Sequence, residues 1–378
     1  MRPEGSEAHL PRLTMVATGG TIAGESHGDE GQYSYTSAKR SADSLLMAVP
    51  DLLRRARWNL VTPYAIGSQN LSLAHMLQLR ATLCQCLANP EVDGVLVTHG
   101  TDTVEDMLYF LYLTLPPDLL NKPLVFTAAM LPADHPQADG PGNLRSAVEF
   151  ILQGLAHPKA ALHGRSDAIA APSTFVPSEP IAVPFGLVMQ GLYTPAAWVE
   201  KQSTSGLDAF DGPCSVALPL CSSVVSADSE SSAHGALAAH LPQGFFHALI
   251  ETTAEAHLLF ESLEVAIVYC TPGNGPIRQL KDLLSRKPAA VVVAAPGHGN
   301  VPDELVLTLR KLLLAGVDVI RASRVPSGGV QQGGEFFQLD EFRLLQQGVG
   351  QFSESGDLTI NKAAVLARLR ALARSLTQ

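Results

Sequence analysis

The sequence predicts an α/β protein built on a parallel sheet, followed by a smaller second α/β domain. Three observations predict it. Short apolar runs alternate with helical patterns, the rhythm of strand–helix–strand units. The 378 residues suffice for two ordinary domains with a sizeable core in each. A Ser-rich break beyond residue 213 is followed by a compact strand–helix–strand–helix–strand series, which fits a separate small domain.

In order, strands are predicted at residues 13–18, 94–98, 124–128, 265–269, 289–295 and 317–320. Helices are predicted at 74–87, 103–115, 142–155, 302–314 and 361–376. The helix at 103–115 is apolar nearly all round past its first turn, which predicts burial. Two stretches break the rhythm. Residues 156–184 are rich in Ala, Pro and Ser with weak periodicity, and residues 213–254 centre on SADSESSAH at 226–234. The domain boundary is placed in the second stretch. No internal repeat is visible.

Composition narrows the function classes. Hydrophobic residues make up 46% and charged residues 16%, a globular rather than a disordered balance. A net charge of −10 argues against nucleic acid as a partner, because phosphate binding needs a basic surface. No apolar run of about 18 residues is present, so no membrane-spanning helix is expected. The opening MRPEGSEAHLPRL lacks the apolar core of a secretory signal. Five cysteines, Cys84, Cys86, Cys214, Cys221 and Cys270, form no CxxC pair and leave an odd count. They read as reduced thiols of a cytoplasmic protein, small apolar side chains rather than zinc ligands or a disulfide framework.

The chemistry is concentrated in loops after strands. The first strand runs into TGGTIAG at 18–24. Paired glycines there permit a tight turn and close approach of a ligand at the open end of a parallel sheet. The loop is not GxGxxG and lacks a phosphate-loop lysine, so nucleotide binding is a poor reading. Taken alone, Thr21 reads as a turn residue. THGTDTVED at 98–106 again follows a strand and precedes a helix. Thr103 and Asp106 have the spacing of a capping box, which leaves Thr101 and Asp102 as extra polar groups in the turn. IGSQN at 66–70 reads as a loop, with capping by Ser68 as its simplest role, and Lys201 in WVEKQST reads on its own as a surface charge.

Together these segments resemble the bacterial-type L-asparaginase family. The resemblance rests on TGGTIAG at 18–24, IGSQ at 66–69, HGTDT at 99–103, ADGPGN at 138–143 and SRVPSGG at 323–329, in the family's order and at about its spacing. It covers residues 12–155, 186–212 and 263–378. It implies a larger amino-terminal domain with a mixed, mainly parallel sheet between helices, and a smaller carboxyl-terminal α/β domain. The implied boundaries are a catalytic domain at 12–212 with 156–184 as an insertion, a variable segment at 213–262, and a second domain at 263–378.

The resemblance also implies roles. Thr21 resembles the nucleophile that attacks the side-chain amide of L-asparagine, releasing ammonia and then aspartate from an ester. Tyr35, in SYTSAK, resembles the mobile-loop tyrosine beside it, with Tyr33 as the competing candidate. Ser68 and Gln69 resemble the binders of the substrate's α-carboxylate and α-amino groups. Thr101, Asp102 and Lys201 resemble the polar triad beside the nucleophile, with Thr101 and Asp102 also touching substrate. Glu335 resembles a carboxylate contributed by a neighbouring subunit, in a homotetramer assembled as a dimer of dimers. No metal or organic cofactor is expected, and the partner is a small molecule, with neither nucleic acid nor membrane.

A Thr hydroxyl is a weak nucleophile and needs a nearby base. Tyr35 with Glu335, or Thr101 with Lys201, are the two candidates. His99, His135 and His298 read as structural. The competing functions are a glutaminase-asparaginase, the amidase component of a tRNA-dependent amidotransferase, and a non-catalytic amide-binding protein on the same fold. Intact Thr21, Thr101, Asp102 and Lys201 weigh against the last.

Overall fold

A computed structural model describes residues 10–27, 34–156, 183–204, 209–210, 216–217, 241–251, 254–325, 329–330 and 350–377. The described residues through 217 form one compact unit and those from 241 onward form another.

In the first unit the strands are β1 (Arg12–Ala17), β2 (Glu25–Ser26), β3 (Tyr35–Thr36), β4 (Arg57–Val61), β5 (Gly94–Thr98), β6 (Leu124–Thr127), β7 (Phe185–Met189), β8 (Leu192–Pro195) and β9 (Val216–Ala217). The helices are α1 (Ala42–Met47), α2 (Pro50–Leu53), α3 (Leu73–Ala88), α4 (Val104–Thr114) and α5 (Gly140–Ala156). Among the described residues a seven-stranded sheet runs β4-β1-β5-β6-β7-β8-β9. Its first five strands are parallel, and β8 and β9 are antiparallel additions, so the sheet is mixed and mainly parallel as expected.

Burial explains this topology. Every residue of β5, β6 and β7 is buried, as befits parallel strands covered on both faces. One face packs Leu13, Met15, Leu96 and Val125 against Leu144, Val148 and Ile151 of α5 and Leu45 and Leu46 of α1. The helix α4 is buried on nearly every side past its first turn, including Met107, Leu108, Tyr109, Phe110 and Leu111. The start of α3 lies one residue before the expected span, fixed by Ser72, whose hydroxyl accepts from the His75 N–H in a capping box.

The register decides where the loops emerge. Ala17 pairs with Thr98 and Thr98 with Thr127, so β1, β5 and β6 end level with one another. The turns that follow these strands therefore leave from one edge of the sheet, its carboxyl edge.

In the second unit, among the described residues, β10 (Val265–Tyr269), β11 (Ala290–Ala295), β12 (Asp318–Ser323) and β13 (Phe352–Glu354) form a parallel four-stranded sheet. Its helices are α6 (His247–Glu251), α7 (Ala254–Ser262), α8 (Gly275–Arg286), α9 (Asp303–Leu314) and α10 (Ile360–Thr377). Leu280 and Leu283 of α8 and Leu305, Leu309 and Leu312 of α9 cover one face through Val291, Val293 and Val319. Ala363 and Ala367 of α10 cover the other through Ala290, Val292 and Ile320. This is the small α/β domain expected at the carboxyl end. Among the described residues, no helix is long and apolar enough to cross a membrane. Cys84, Cys86 and Cys270 are thiols, while Cys214 and Cys221 lie outside the described residues.

Candidate active site

The site is assembled from turns at the carboxyl edge of the first sheet. Thr21 opens a 3₁₀ turn, Thr21–Ala23, directly after Gly19 and Gly20. Thr18 ties the end of β1 to β5, its N–H and its hydroxyl both donating to the Thr98 carbonyl. Gly19 forms an isolated bridge with Ile66, and the Gly20 N–H donates to the Ile66 carbonyl at 2.8 Å. These bonds draw the 66–70 loop onto the Thr21 turn.

Gly20 needs to be glycine for two reasons. Its φ of 78° lies in the left-handed region, and a Cβ there would stand 2.5 Å from the Cα of Gly100. Gly100 is equally confined, since a Cβ on it would meet the Ser68 hydroxyl at 2.3 Å. The turns bearing Thr21 and Thr101 can touch only because neither glycine carries a side chain at the contact.

Two hydrogen-bonded groups result. In the first, the Thr21 and Tyr35 hydroxyls lie 2.8 Å apart. Tyr35 sits on β3, which pairs with β2 in a short antiparallel hairpin immediately after the Thr21 turn. Asp134, from the loop after β6, pins that hairpin by accepting from the Ser26 N–H and hydroxyl. These bonds hold the Asp134 carboxyl below the usual carboxylate range. Tyr33 lies outside the described residues.

In the second group, the Lys201 ammonium donates to Asp102 Oδ1 at 3.0 Å and to Thr101 Oγ1 at 3.4 Å. The Asp102 N–H donates to the Ser68 hydroxyl at 3.2 Å. Thr21, Ser68 and Thr101 are buried, at 7%, 5% and 6% exposure, whereas Asp102 and Gln69 face outward. Three hydroxyls that a solvated turn would expose are thus withdrawn into the fold. Lys201 is not a free surface charge, because it is anchored on the Thr101 turn. Glu335 lies outside the described residues, as do residues 326–328 of SRVPSGG.

The expected capping box at Thr103 is not formed. Thr103 is the residue before α4, but its hydroxyl caps no helical N–H and donates instead to the Ser68 carbonyl at 3.0 Å. That acceptor comes from a loop 35 residues away in sequence, which local spacing cannot reveal. Ser68 likewise caps no helix.

His99 is 1% exposed, and its Nδ1–H donates to the Gly100 carbonyl at 2.9 Å. Burial pushes its pKa down to about 4, against the smaller upward pull of that bond, so the ring is neutral near pH 7. His135 and His298 occupy turns; His135 Nδ1 accepts locally from the Gln137 N–H, whereas His298 Nδ1 reaches the Gly329 carbonyl, 31 residues away.

ADGPGN acts as a brace that sequence reading left without a role. Asp139 accepts from the N–H groups of Met130 and Leu131 and from the amides of Asn143 and Gln190. Asn143 in turn donates to the Ala128 carbonyl and accepts from the Gln190 N–H. The loop after β6 is thereby fixed to α5 and to the β7–β8 turn. Next to it, Gly140 lies against Ile22, where a Cβ would meet Cγ1 at 3.1 Å. Among the described residues, no group of three or more His, Cys, Asp or Glu could hold a metal ion.

Residues 12–231 match the model of the asparaginase amino-terminal domain, and residues 264–375 that of the glutaminase/asparaginase carboxyl-terminal domain. A protein of Haemophilus influenzae named "Probable L-asparaginase periplasmic" is 32% identical over 365 residues, covering 96% of this chain and 89% of that protein. "L-asparaginase 2" of Escherichia coli is 29% identical, with 97% and 90% covered. Among solved structures, that of a "Probable Cytoplasmic L-asparaginase" from Campylobacter jejuni is similar with a TM-score of 0.71 at 25% identity, covering 97% of this chain and 95% of that one.

Proposed function

The chain belongs to the asparaginase family, and from that premise we propose that it hydrolyses the side-chain amide of L-asparagine to L-aspartate and ammonia through an ester on Thr21. The observation that carries the mechanism is the buried Thr21 hydroxyl, 2.8 Å from the phenol of Tyr35 at the open edge of the sheet.

Thr21 Oγ1 forms a bond to the amide carbon. Its proton passes to Tyr35, while the Tyr35 proton passes to the amide nitrogen. The C–N bond then breaks and ammonia leaves, so that atoms and protons balance without an external base. Backbone N–H groups of the Thr21 and Thr101 turns stabilise the developing oxyanion. Water then attacks the ester carbonyl, the acyl–Oγ1 bond breaks and aspartate leaves, and the proton given up by the water returns through Tyr35 to Thr21 Oγ1. Because Lys201 donates to Thr101 Oγ1, the Thr101 hydroxyl directs its own proton elsewhere, toward substrate or water. Asp102 supplies a carboxylate for the substrate's α-amino group, and Ser68 and Gln69 bind its α-carboxylate and α-amino ends. We assign Glu335 to the site of a neighbouring subunit, in a homotetramer working in the cytoplasm. The reduced Cys84, Cys86 and Cys270 suit that compartment.

A second reading, glutaminase-asparaginase, is favoured by relatives of that name. The "Glutaminase-asparaginase" of Pseudomonas aeruginosa is 28% identical over 85% of this chain. Glutamine is longer by one methylene, a difference that pockets discriminate by about 10–200-fold. Ammonia release from the two amides under identical conditions tests the assignment. A higher kcat/KM for asparagine supports it, equal values establish the dual activity, and release from neither refutes both.

A further inference from the structure

Lys201 follows the 3₁₀ turn Ala196–Trp198 and belongs to no strand, so no ladder fixes its backbone. Its long, flexible side chain must nevertheless bring one ammonium to both Thr101 and Asp102. Bonds from two adjacent main-chain N–H groups help to hold the segment. The Gln202 N–H donates to the Ala209 carbonyl at 2.7 Å, and the Lys201 N–H donates to Glu105 Oε2 at 3.3 Å.

Glu105 lies in the first turn of α4, the helix that begins directly after Thr101, Asp102 and Thr103. The element that presents the two polar groups to the Lys201 ammonium therefore also grips the Lys201 main chain. We propose that Glu105 is a positioning residue for the amide hydrolysis, setting the reach of Lys201 to Thr101 and Asp102 by accepting its backbone N–H. This rests on the reading that Lys201 serves the reaction. The buried helix α4 acts as the ruler, and a misplacement of about 1 Å can lower a rate by about a hundredfold. A carboxylate in the first turn is also favoured by the helix dipole, so α4 itself disfavours loss of this group.

The test compares steady-state ammonia release by Glu105→Ala, Glu105→Gln, Lys201→Met and the Glu105→Ala/Lys201→Met double variant, with melting temperatures measured alongside. Glu105→Ala lowers kcat by about ten- to a hundredfold and changes KM less. Glu105→Gln, whose amide oxygen still accepts the bond, restores most of the rate. In the Lys201→Met background, Glu105→Ala adds no further loss. Glu105→Leu keeps the side-chain volume and gives the same result where the alanine variant does not fold. A wild-type kcat for Glu105→Ala beside an inactive Lys201→Met overturns the positioning role and leaves the function of Lys201 standing. Equal impairment of the Ala and Gln variants assigns the effect to charge and overturns it as well. Full activity of Lys201→Met shows instead that the underlying reading of Lys201 is wrong.

Discussion

The hydroxyls of Thr21 and Tyr35 lie 2.8 Å apart, although the two residues belong to different elements, a 3₁₀ turn and a hairpin strand. The hairpin is held by the Asp134 bonds to Ser26 and by the Ala133 N–H donating to the Gly24 carbonyl. The tyrosine is thus delivered to the threonine by contacts that do not involve its own ring. Tyr35→Phe keeps the ring and removes only the hydroxyl. It is expected to lower kcat by about 10²–10⁴, the usual contribution of a positioned proton-transfer group, with little change in KM. An unchanged kcat would remove Tyr35 from the proton path.

His99 gives a pH-dependent prediction about stability. Its folded pKa, about 4, lies below the ordinary 6.5, so the folded state binds fewer protons between those values than the unfolded chain. The stabilisation from a neutral His99 is present above pH 6.5 and is lost as pH falls toward 4. One proton corresponds to about 1.4 kcal/mol per pH unit. Denaturant unfolding at pH 4.5–6.5 should show a steeper decline for the native protein than for His99→Gln, by about that slope. Parallel declines would show that His99 is not held neutral.

Much of this was legible in the sequence. The strands β1, β5, β6, β10 and β11 are near-continuous apolar runs, and their ends fall within one residue of expectation. By contrast β4, RWNLV, lies at the sheet edge with no fully buried residue, so its pattern gives little periodicity to read. The β7–β8 hairpin turns on Gln190 and Gly191, both at positive φ, a conformation that Gln seldom announces. The threonines of the site stand in recognisable motifs. The bonds that organise them join residues 35, 99 and 100 apart, which spacing within a motif does not disclose.

Glu335 tests whether the site is shared between subunits. In a two-fold dimer, each site would combine Thr21 of one chain with Glu335 of the other. Thr21→Ala and Glu335→Ala, each severely impaired alone, should complement when co-expressed. Random pairing makes half the dimers mixed and leaves half of their sites intact, which restores about a quarter of native activity. Activity no greater than that of the two single variants would place both residues within one chain.

The central claim is that Thr21 forms the covalent bond to substrate, and Thr21→Ala tests it most directly. The change removes a hydroxyl and a methyl from a turn whose path is set by backbone bonds of Gly20, Ala23 and Gly24, so the fold should persist by circular dichroism. Ammonia release from L-asparagine should fall to almost nothing, with Thr21→Ser keeping part of the rate. A folded Thr21→Ala protein that retains more than a few per cent of native turnover would contradict the account and make Thr101 the candidate nucleophile.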